Sequence, residues 1–408
     1  MKNIFILVFF LIWFTSCGIS QQVGKETGKE ELTYQTKEVN QIITGAEQTD
    51  KYLKLLQNKK VGLVVNQSSL IGDEHLVDFL LKKKIKVQKI FAPEHGFRGD
   101  ADRGEHISNE IDKKTGLPIV SIHGKNRRPT DEQIKDVDIL IFDIQDVGAR
   151  FFTFISSMNE VMEACAKNKK PLIVLDRPNP LGDYVDGPIR KDGFKSFVGL
   201  HQIPVVHGLT VGELAKMING EDWLEEGRQC ELTVIKMENY NHSIHYSLPV
   251  KPSPNLPNDL SIRLYPSLCF FEATKVSIGR GTTFPFQVVA YPNSSFGDSL
   301  FIPVDIEGMQ TNPVQEGKVC YGIDLRNANP DTIKFTLKYI IDFAKKLKSV
   351  GDTLITNERW FNLLAGNDVL LQQIKDGLSE KEIKKSWEKE LTEYKKMRKK
   401  YLLYDDFE

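Results

Sequence analysis

The 408-residue chain carries 54 Lys and Arg against 55 Asp and Glu, a net charge of −1, with 40% hydrophobic and 27% charged residues. These are the proportions of an ordinary globular protein, long enough for two domains and a large core. The balanced charge lacks the basic excess of nucleic-acid binders, so no nucleic-acid partner is expected.

Residues 1–17, MKNIFILVFFLIWFTSC, open with Lys2, continue through an apolar run over 4–14 and end with small Ser16 before Cys17. That run is shorter than the roughly 20 apolar residues a spanning helix needs, which marks it as a targeting segment. Ser16-Cys17 is similar to a bacterial lipoprotein signal, with Phe14 where Leu is usual. Cys17 is therefore the expected lipidated N-terminus. The protein is expected to be exported, periplasmic or at the cell surface, and held on a membrane by its lipid anchor. Residues 18–48 are polar, with Tyr34 their only aromatic, and read as a tether. Cys165, Cys230, Cys269 and Cys320 are widely spaced and in no metal-binding pattern. No metal or other cofactor is expected.

From about residue 51, short apolar runs alternate with helical patterns. VGLVVN (61–66), VQKIFA (87–92), PIVSIH (118–123), DILIFD (138–143) and PLIVLD (171–176) read as strands. Residues 75–84 read as a helix. Phe154, Met158 and Met162 recur every four residues, predicting a helix over 153–167. This alternation makes βαβ units, hence an α/β domain with a largely parallel sheet, over residues 49–225. After about 220 the rhythm changes. CELTVIKM, FQVVAY, PVDIEG and VCYGIDL read as strands, 331–350 as a long helix, and Ile383, Trp387, Leu391, Tyr394, Met397 and Tyr401 as the stripe of a last helix. Residues 226–408 are thus expected to form a second, smaller α+β domain.

Each predicted parallel strand runs into polar groups. Asn66 follows the first, Glu94 and His95 the second, and His123 ends the third. Asp143, Gln145, Asp146 and Arg150 follow the fourth, and Asp176 and Arg177 the fifth. Ligands of open α/β sheets bind outside the carboxyl ends of the strands, so these residues are expected to converge on one rim. No G-x-G-x-x-G, G-x-x-x-x-G-K-[ST], G-x-S-x-G or H-E-x-x-H motif occupies the corresponding turns. The loop after the second strand, FAPEHGFRGDADRGEH, is instead dominated by carboxylates. Carboxylates suit glycoside hydrolysis, in which an acid protonates the leaving oxygen.

VGLVVNQSS, FAPEHGFRG, SIHGKNRRPT, DILIFDIQDVGARFFTFISSM, LDRPNPLG and YPSLCFFEATKVSIGRGTTFPFQ resemble, in order, the motifs of the exo-β-N-acetylmuramidase (NamZ) family. The resemblance extends to the terminal WEKELTEYKKMRKKYLLY. It implies an enzyme that releases N-acetylmuramic acid from non-reducing ends of peptidoglycan fragments or of a muramic-acid-terminated disaccharide. It also implies a Rossmann-like N-terminal domain bearing the site, with the C-terminal domain helping to wall it. Glu94, the glutamate of the PEHG motif, is implied as the principal catalytic residue. Asn66, His95, Arg98, Gln145, Asp146 and Arg150 are implied pocket residues. Where the family reads ARFYTY this chain has ARFFTF, so Phe152 and Phe154 lack two phenolic hydroxyls. A second carboxylate, if one is used, is Asp143, Asp146 or Glu272. The lactyl carboxylate of muramic acid calls for a guanidinium fork, from Arg98, Arg150, Arg177 or Arg280, or for a helix N-terminus. HGLTVGEL places Thr210 as N-cap ahead of Glu213, a helix start, with the preceding His207 a candidate to face the pocket. Two other classes remain open at this level. One is a metal-dependent hydrolase built on Glu94, His95, Asp102, Glu105 and His106, whose spacing fits no standard ligand set. The other is a non-catalytic wall-binding lipoprotein.

Overall fold

A computed structural model describes residues 41–94, 96–98 and 110–408. The targeting segment with Cys17, most of the expected tether, and His95, Asp102, Glu105 and His106 lie outside them. Residues 41–408 form one compact unit.

In chain order the strands of the main sheet and its first hairpin are β1 (Lys60–Val65), β2 (Leu70–Ile71), β3 (Glu74–His75), β4 (Lys86–Ala92), β5 (Glu110–Ile111), β6 (Pro118–Ser121), β7 (Ile139–Asp143), β8 (Leu172–Leu175) and β9 (Leu232–Ile235). The seven-stranded sheet runs β5-β6-β4-β1-β7-β8-β9, and only the edge pair β5–β6 is antiparallel. The chain moves outward from β1 through β4 to β6, then returns to β7 beside β1 and proceeds to β9. This is the doubly wound order, with its reversal between β1 and β7. The expected α/β fold with a largely parallel sheet is what the chain adopts. Every residue of β7 and β8 is buried, because helices cover both faces of the sheet. Fully apolar runs are the sequence form of that environment.

Several expectations need correction. The chain already packs against the sheet before residue 49: Ile43 bridges to Glu238, Ala46 is fully buried, and a Cβ on Gly45 would stand 2.4 Å from the Ile235 carbonyl oxygen. The sheet's last strand, β9, lies beyond residue 225. The long helix expected over 331–350 begins only at Lys338 and ends at Ser349. Residues just before it are captured from outside: the Thr336 N–H donates to Ser267 Oγ at 3.0 Å and the Leu337 N–H to Glu380 Oε1 at 3.0 Å. These bonds take donors an earlier helical turn would have used.

The smaller portion holds β10 (Val288–Tyr291), β11 (Ser299–Phe301) and β12 (Cys320–Asp324), an antiparallel sheet ordered β10-β12-β11. PVDIEG, expected as a strand, is loop; the Val304 N–H donates to the Gly281 carbonyl at 2.9 Å instead. One apolar cluster joins Val147, Ala149 and Phe151, from the loop after β7, to Phe270, Phe343, Phe361 and Trp387. The last helix, Glu380–Lys399, sends Ile383 and Trp387 into this cluster and Tyr394 into the core beneath the parallel sheet. It therefore stitches the two portions together.

The C-terminal tail completes the stitch at the end of β8. The Tyr404 hydroxyl donates to Asp176 Oδ2 at 2.6 Å, the Thr210 hydroxyl to the same oxygen at 2.7 Å, and the Gly212 N–H to Oδ1 at 2.8 Å. Thr210 and Glu213 form the expected capping box. Burial, and then the nearby Glu213 carboxylate, push Asp176 up from 3.8 to about 6. Folded Asp176 thus holds a proton at pH values where the unfolded chain has lost it, and its contribution to stability falls as pH rises from about 4 to about 6. The total loss is about 3 kcal/mol, complete above that range. Melting of the wild type and Asp176→Asn at pH 4.5 and pH 7 should show their difference moving against the wild type as pH rises; a pH-independent difference would contradict this.

Candidate active site

Loops following β4, β6 and β7 open onto a cavity of about 360 Å³ whose remaining wall comes from residues 196–198 and 253–364. Glu94 stands two residues past β4, partly exposed, and has neither a hydrogen-bond nor an ion-pair partner among the described residues. His123 stands two residues past β6, and Arg127 four further on. Phe151, Phe152 and Thr153 lead into the helix Phe154–Asn168, whose N-cap, Thr153, makes no side-chain capping bond. That helix N-terminus, with its partial positive charge, borders the cavity.

Six aromatic rings line the space: Phe151, Phe152, Phe154, Phe197, Tyr265 and Trp360. Phe152 and Phe154 meet edge to face at 4.9 Å, and Tyr265 stands edge-on to Phe151 at 5.0 Å. Phe152 and Phe154 thus keep this part of the wall apolar. Tyr265 comes from the helix Asp259–Leu268, started by an Asn258–Ser261 capping box. Burial pushes its phenol well above the ordinary range.

Polar groups converge between the rings. Glu272 lies on the single turn Cys269–Ala273 and is ion-paired with Arg280. Arg280 sits between Gly279 and Gly281, both with φ of +79°, where a Cβ would strike the Phe284 carbonyl at 2.8 Å and the Val304 carbonyl at 2.6 Å. The glycines let the chain reverse tightly and aim the guanidinium inward, over the Phe286 ring at 4.9 Å. Three buried polar atoms on side chains of the lining, Ser196 Oγ, Asn255 Oδ1 and Arg280 Nε, have no hydrogen-bond partner among the described residues. Buried polar atoms are seldom left unpaired, so a cavity lined by three of them is suited to a ligand rich in hydroxyl and amide groups. No group of three or more His, Cys, Asp or Glu among the described residues is placed to hold a metal ion.

Of the site residues expected from sequence, the cavity gathers Glu94, Glu272 and Arg280. His95 lies outside the described residues. The others stand outside the cavity lining, all of them buried except Arg98. Arg177 donates to both oxygens of Asp143 at 2.6 and 2.9 Å. Asn66 Oδ1 accepts from the Ser68 N–H at 2.9 Å and the Ser68 hydroxyl at 2.6 Å. Gln145 Nε2 donates to the Asp146 and Pro178 carbonyls, and Asp146 accepts from the Gly148 N–H at 2.7 Å, with His207 3.5 Å away. Asp176 is held by Tyr404 and Thr210 as above. Arg98 is paired with Asp112 at 3.0 Å and lies over the Phe97 ring. Arg150, 1% exposed, donates to the carbonyls of Pro188, Ile203 and Leu364 at 2.7–2.8 Å. Burial, and then Arg190, lower it to about 9. These groups are thus engaged mainly by the protein itself, while Asn66 Nδ2, Asp146 Oδ1, Arg150 Nε and His207 Nε2 have no hydrogen-bond partner among the described residues. Arg127, Phe197, Asn255 and Trp360 were not singled out from sequence, since their loops and helices carry no strand-end signature.

Residues 61–260 match the family described as exo-β-N-acetylmuramidase NamZ, N-terminal, and residues 263–404 its C-terminal counterpart. The chain is 39% identical over 373 residues to the peptidoglycan β-N-acetylmuramidase NamZ of Bacillus subtilis strain 168, covering 86% of this chain and 89% of that protein. A crystal structure of a DUF1343 family protein from Bacteroides fragilis NCTC 9343 superposes with a TM-score of 0.83 at 45% identity, over 90% of this chain and 99% of that one. A second protein of that family from the same organism gives 0.79 at 30% identity, over 89% and 99%.

The carbonyl-capping role of Arg150 has a measurable consequence. Arg150→Met removes the donor from three buried carbonyls and should cost about 3 kcal/mol or more of stability. Denaturant unfolding checks this; a variant as stable as the wild type would return Arg150 to the list of ligand contacts.

Proposed function

The chain belongs to the exo-β-N-acetylmuramidase NamZ family and is a glycosidase, and from that premise we propose that it releases N-acetylmuramic acid from non-reducing ends of peptidoglycan fragments with Glu94 as general acid and base. The observation that carries the reading is the placement of Glu94: a carboxylate without a partner among the described residues, past the end of a parallel strand, lining a cavity walled by aromatic rings.

The chemistry follows from the lining. Aromatic faces stack against the apolar side of a sugar ring and hold its anomeric carbon near the carboxylates. Asn255 Oδ1 and Ser196 Oγ, without partners among the described residues, suit an acetamido group and ring hydroxyls. Glu94 donates its proton to the glycosidic oxygen as the bond breaks, then takes one from the water that completes hydrolysis. Glu272 contributes negative charge as the anomeric carbon becomes cationic, and Arg280 fixes its orientation. A cavity of about 360 Å³ is in the range of small-ligand sites, which fits a terminal residue better than a threaded polymer.

The same reading extends to the N-terminus: Cys17 is proposed to carry the lipid that holds the enzyme on a membrane facing the cell wall. Among the described residues no helix is long and apolar enough to cross a membrane, so on this reading attachment rests on the leader. Cys17→Ala should move the protein to the soluble fraction on cell fractionation, and a wild-type N-terminus lacking lipid by mass spectrometry would refute the anchor.

Glu94→Gln keeps the size of the side chain and cannot deliver a proton. Its turnover of a muramic-acid glycoside should fall by about a hundredfold to ten-thousandfold, with an unchanged melting temperature. The loss should be smaller for aryl glycosides with good leaving groups, which need less protonation. Near-native turnover by a folded Glu94→Gln protein would place the acid elsewhere, with Glu272 the next carboxylate of the cavity.

A further inference from the structure

The arginines near the cavity differ in what already neutralises them. Arg128 reaches Glu160 and Glu225, Arg280 is paired with Glu272, and Arg177 with Asp143. Arg127 also lines the cavity, yet among the described residues it has no hydrogen-bond or ion-pair partner. It is nonetheless oriented: its guanidinium carbon lies 4.2 Å from the centroid of Phe197, a ring of the same wall. The ring contact restrains the exposed guanidinium and leaves its N–H groups without a partner among the described residues, and such a fork receives a carboxylate through two parallel bonds. The uncapped N-terminus of the helix Phe154–Asn168 borders the same space and adds positive potential. No carboxylate of the described chain answers this charge.

We propose that Arg127, set over the Phe197 ring, is the specificity-determining residue that binds the ligand's carboxylate, the lactyl group distinguishing muramic acid from N-acetylglucosamine. The inference rests on the muramidase reading for the identity of the ligand, while the free, oriented guanidinium stands on geometry alone. Arg280, which the sequence offers for this role, is occupied by Glu272.

The test compares N-acetylmuramic acid with its neutral methyl ester, in binding to the Glu94→Gln protein by calorimetry and, as aryl glycosides, in turnover by the wild type. The acid should bind more tightly than the ester by about tenfold to a hundredfold, the value of a hydrogen-bonded charge pair. Arg127→Met should erase that preference, raising KM for the acid glycoside with little change in kcat and none in melting temperature. Arg127→Lys, with charge but no fork, should recover part of it, and Phe197→Leu should weaken it. Equal binding of acid and ester by the parent protein, or a preference surviving in Arg127→Met, overturns the proposal. Absence of turnover by the wild type overturns the muramidase reading alone, because the binding arm still decides on Arg127.

Discussion

A buried ion pair fills the place where a doubly wound sheet usually opens. Strand order reverses between β1 and β7, and a crevice at such a reversal is the common ligand site of these folds. Here Asp143, fully buried at the end of β7, meets Arg177 just past β8 through two hydrogen bonds, and Arg177 also reaches the Leu70 carbonyl at 3.0 Å. The Ser69 hydroxyl binds the Asp143 carbonyl, and Ser68 links Asn66 to the Gln145 N–H. Desolvating two charges is costly unless each is well paired, and loss of either partner would strand the other in the interior. This plug ties the turn after β1 to the ends of β7 and β8. With the crevice closed, the open cavity lies to one side, over the loops after β4, β6 and β7.

That arrangement explains which features were legible in the sequence. Runs such as VGLVV, ILIF and LIVL announce central parallel strands because both their faces are buried, and the helix carrying Phe154, Met158 and Met162 has a clear apolar face. Glu94 was legible because it ends a strand within a carboxylate-rich loop. The polar residues after the other strands look alike in sequence whether they face a ligand or one another. Asp143 and Arg177 are 34 positions apart, and Arg150 finds the Leu364 carbonyl across 214. Pairing at such separations is settled by packing, which local pattern does not encode. Trp360 and Asn255 were hidden for the complementary reason: each sits in an ordinary helix or loop and gains its place only when the C-terminal portion docks.

Docking in turn depends on the end of the chain. Arg398, fully buried, donates to the Gly208 carbonyl at 2.8 Å and to Asp406 at 2.9 Å, and the Tyr394 hydroxyl reaches the His207 carbonyl at 2.7 Å. The Leu403 N–H donates to Glu213, which also faces His242 at 3.0 Å. Polar groups at the carboxyl ends of the strands have thus been divided between two tasks. Most bind the chain to itself, and a few from the neighbouring loops are left facing the cavity.

The bond from Arg150 to the Leu364 carbonyl has a temporal consequence. It grips the helix Glu358–Ala365, whose Trp360 and Leu364 close the cavity opposite the Glu94 loop. A chain emerging from the ribosome up to residue 357 already includes Glu94, yet lacks the wall that turns its surroundings into an enclosure. The helix Glu380–Lys399, which fastens that wall, follows it in the chain. The enclosure therefore forms only once both helices have emerged, so a nascent chain stopped short of them carries Glu94 without its pocket.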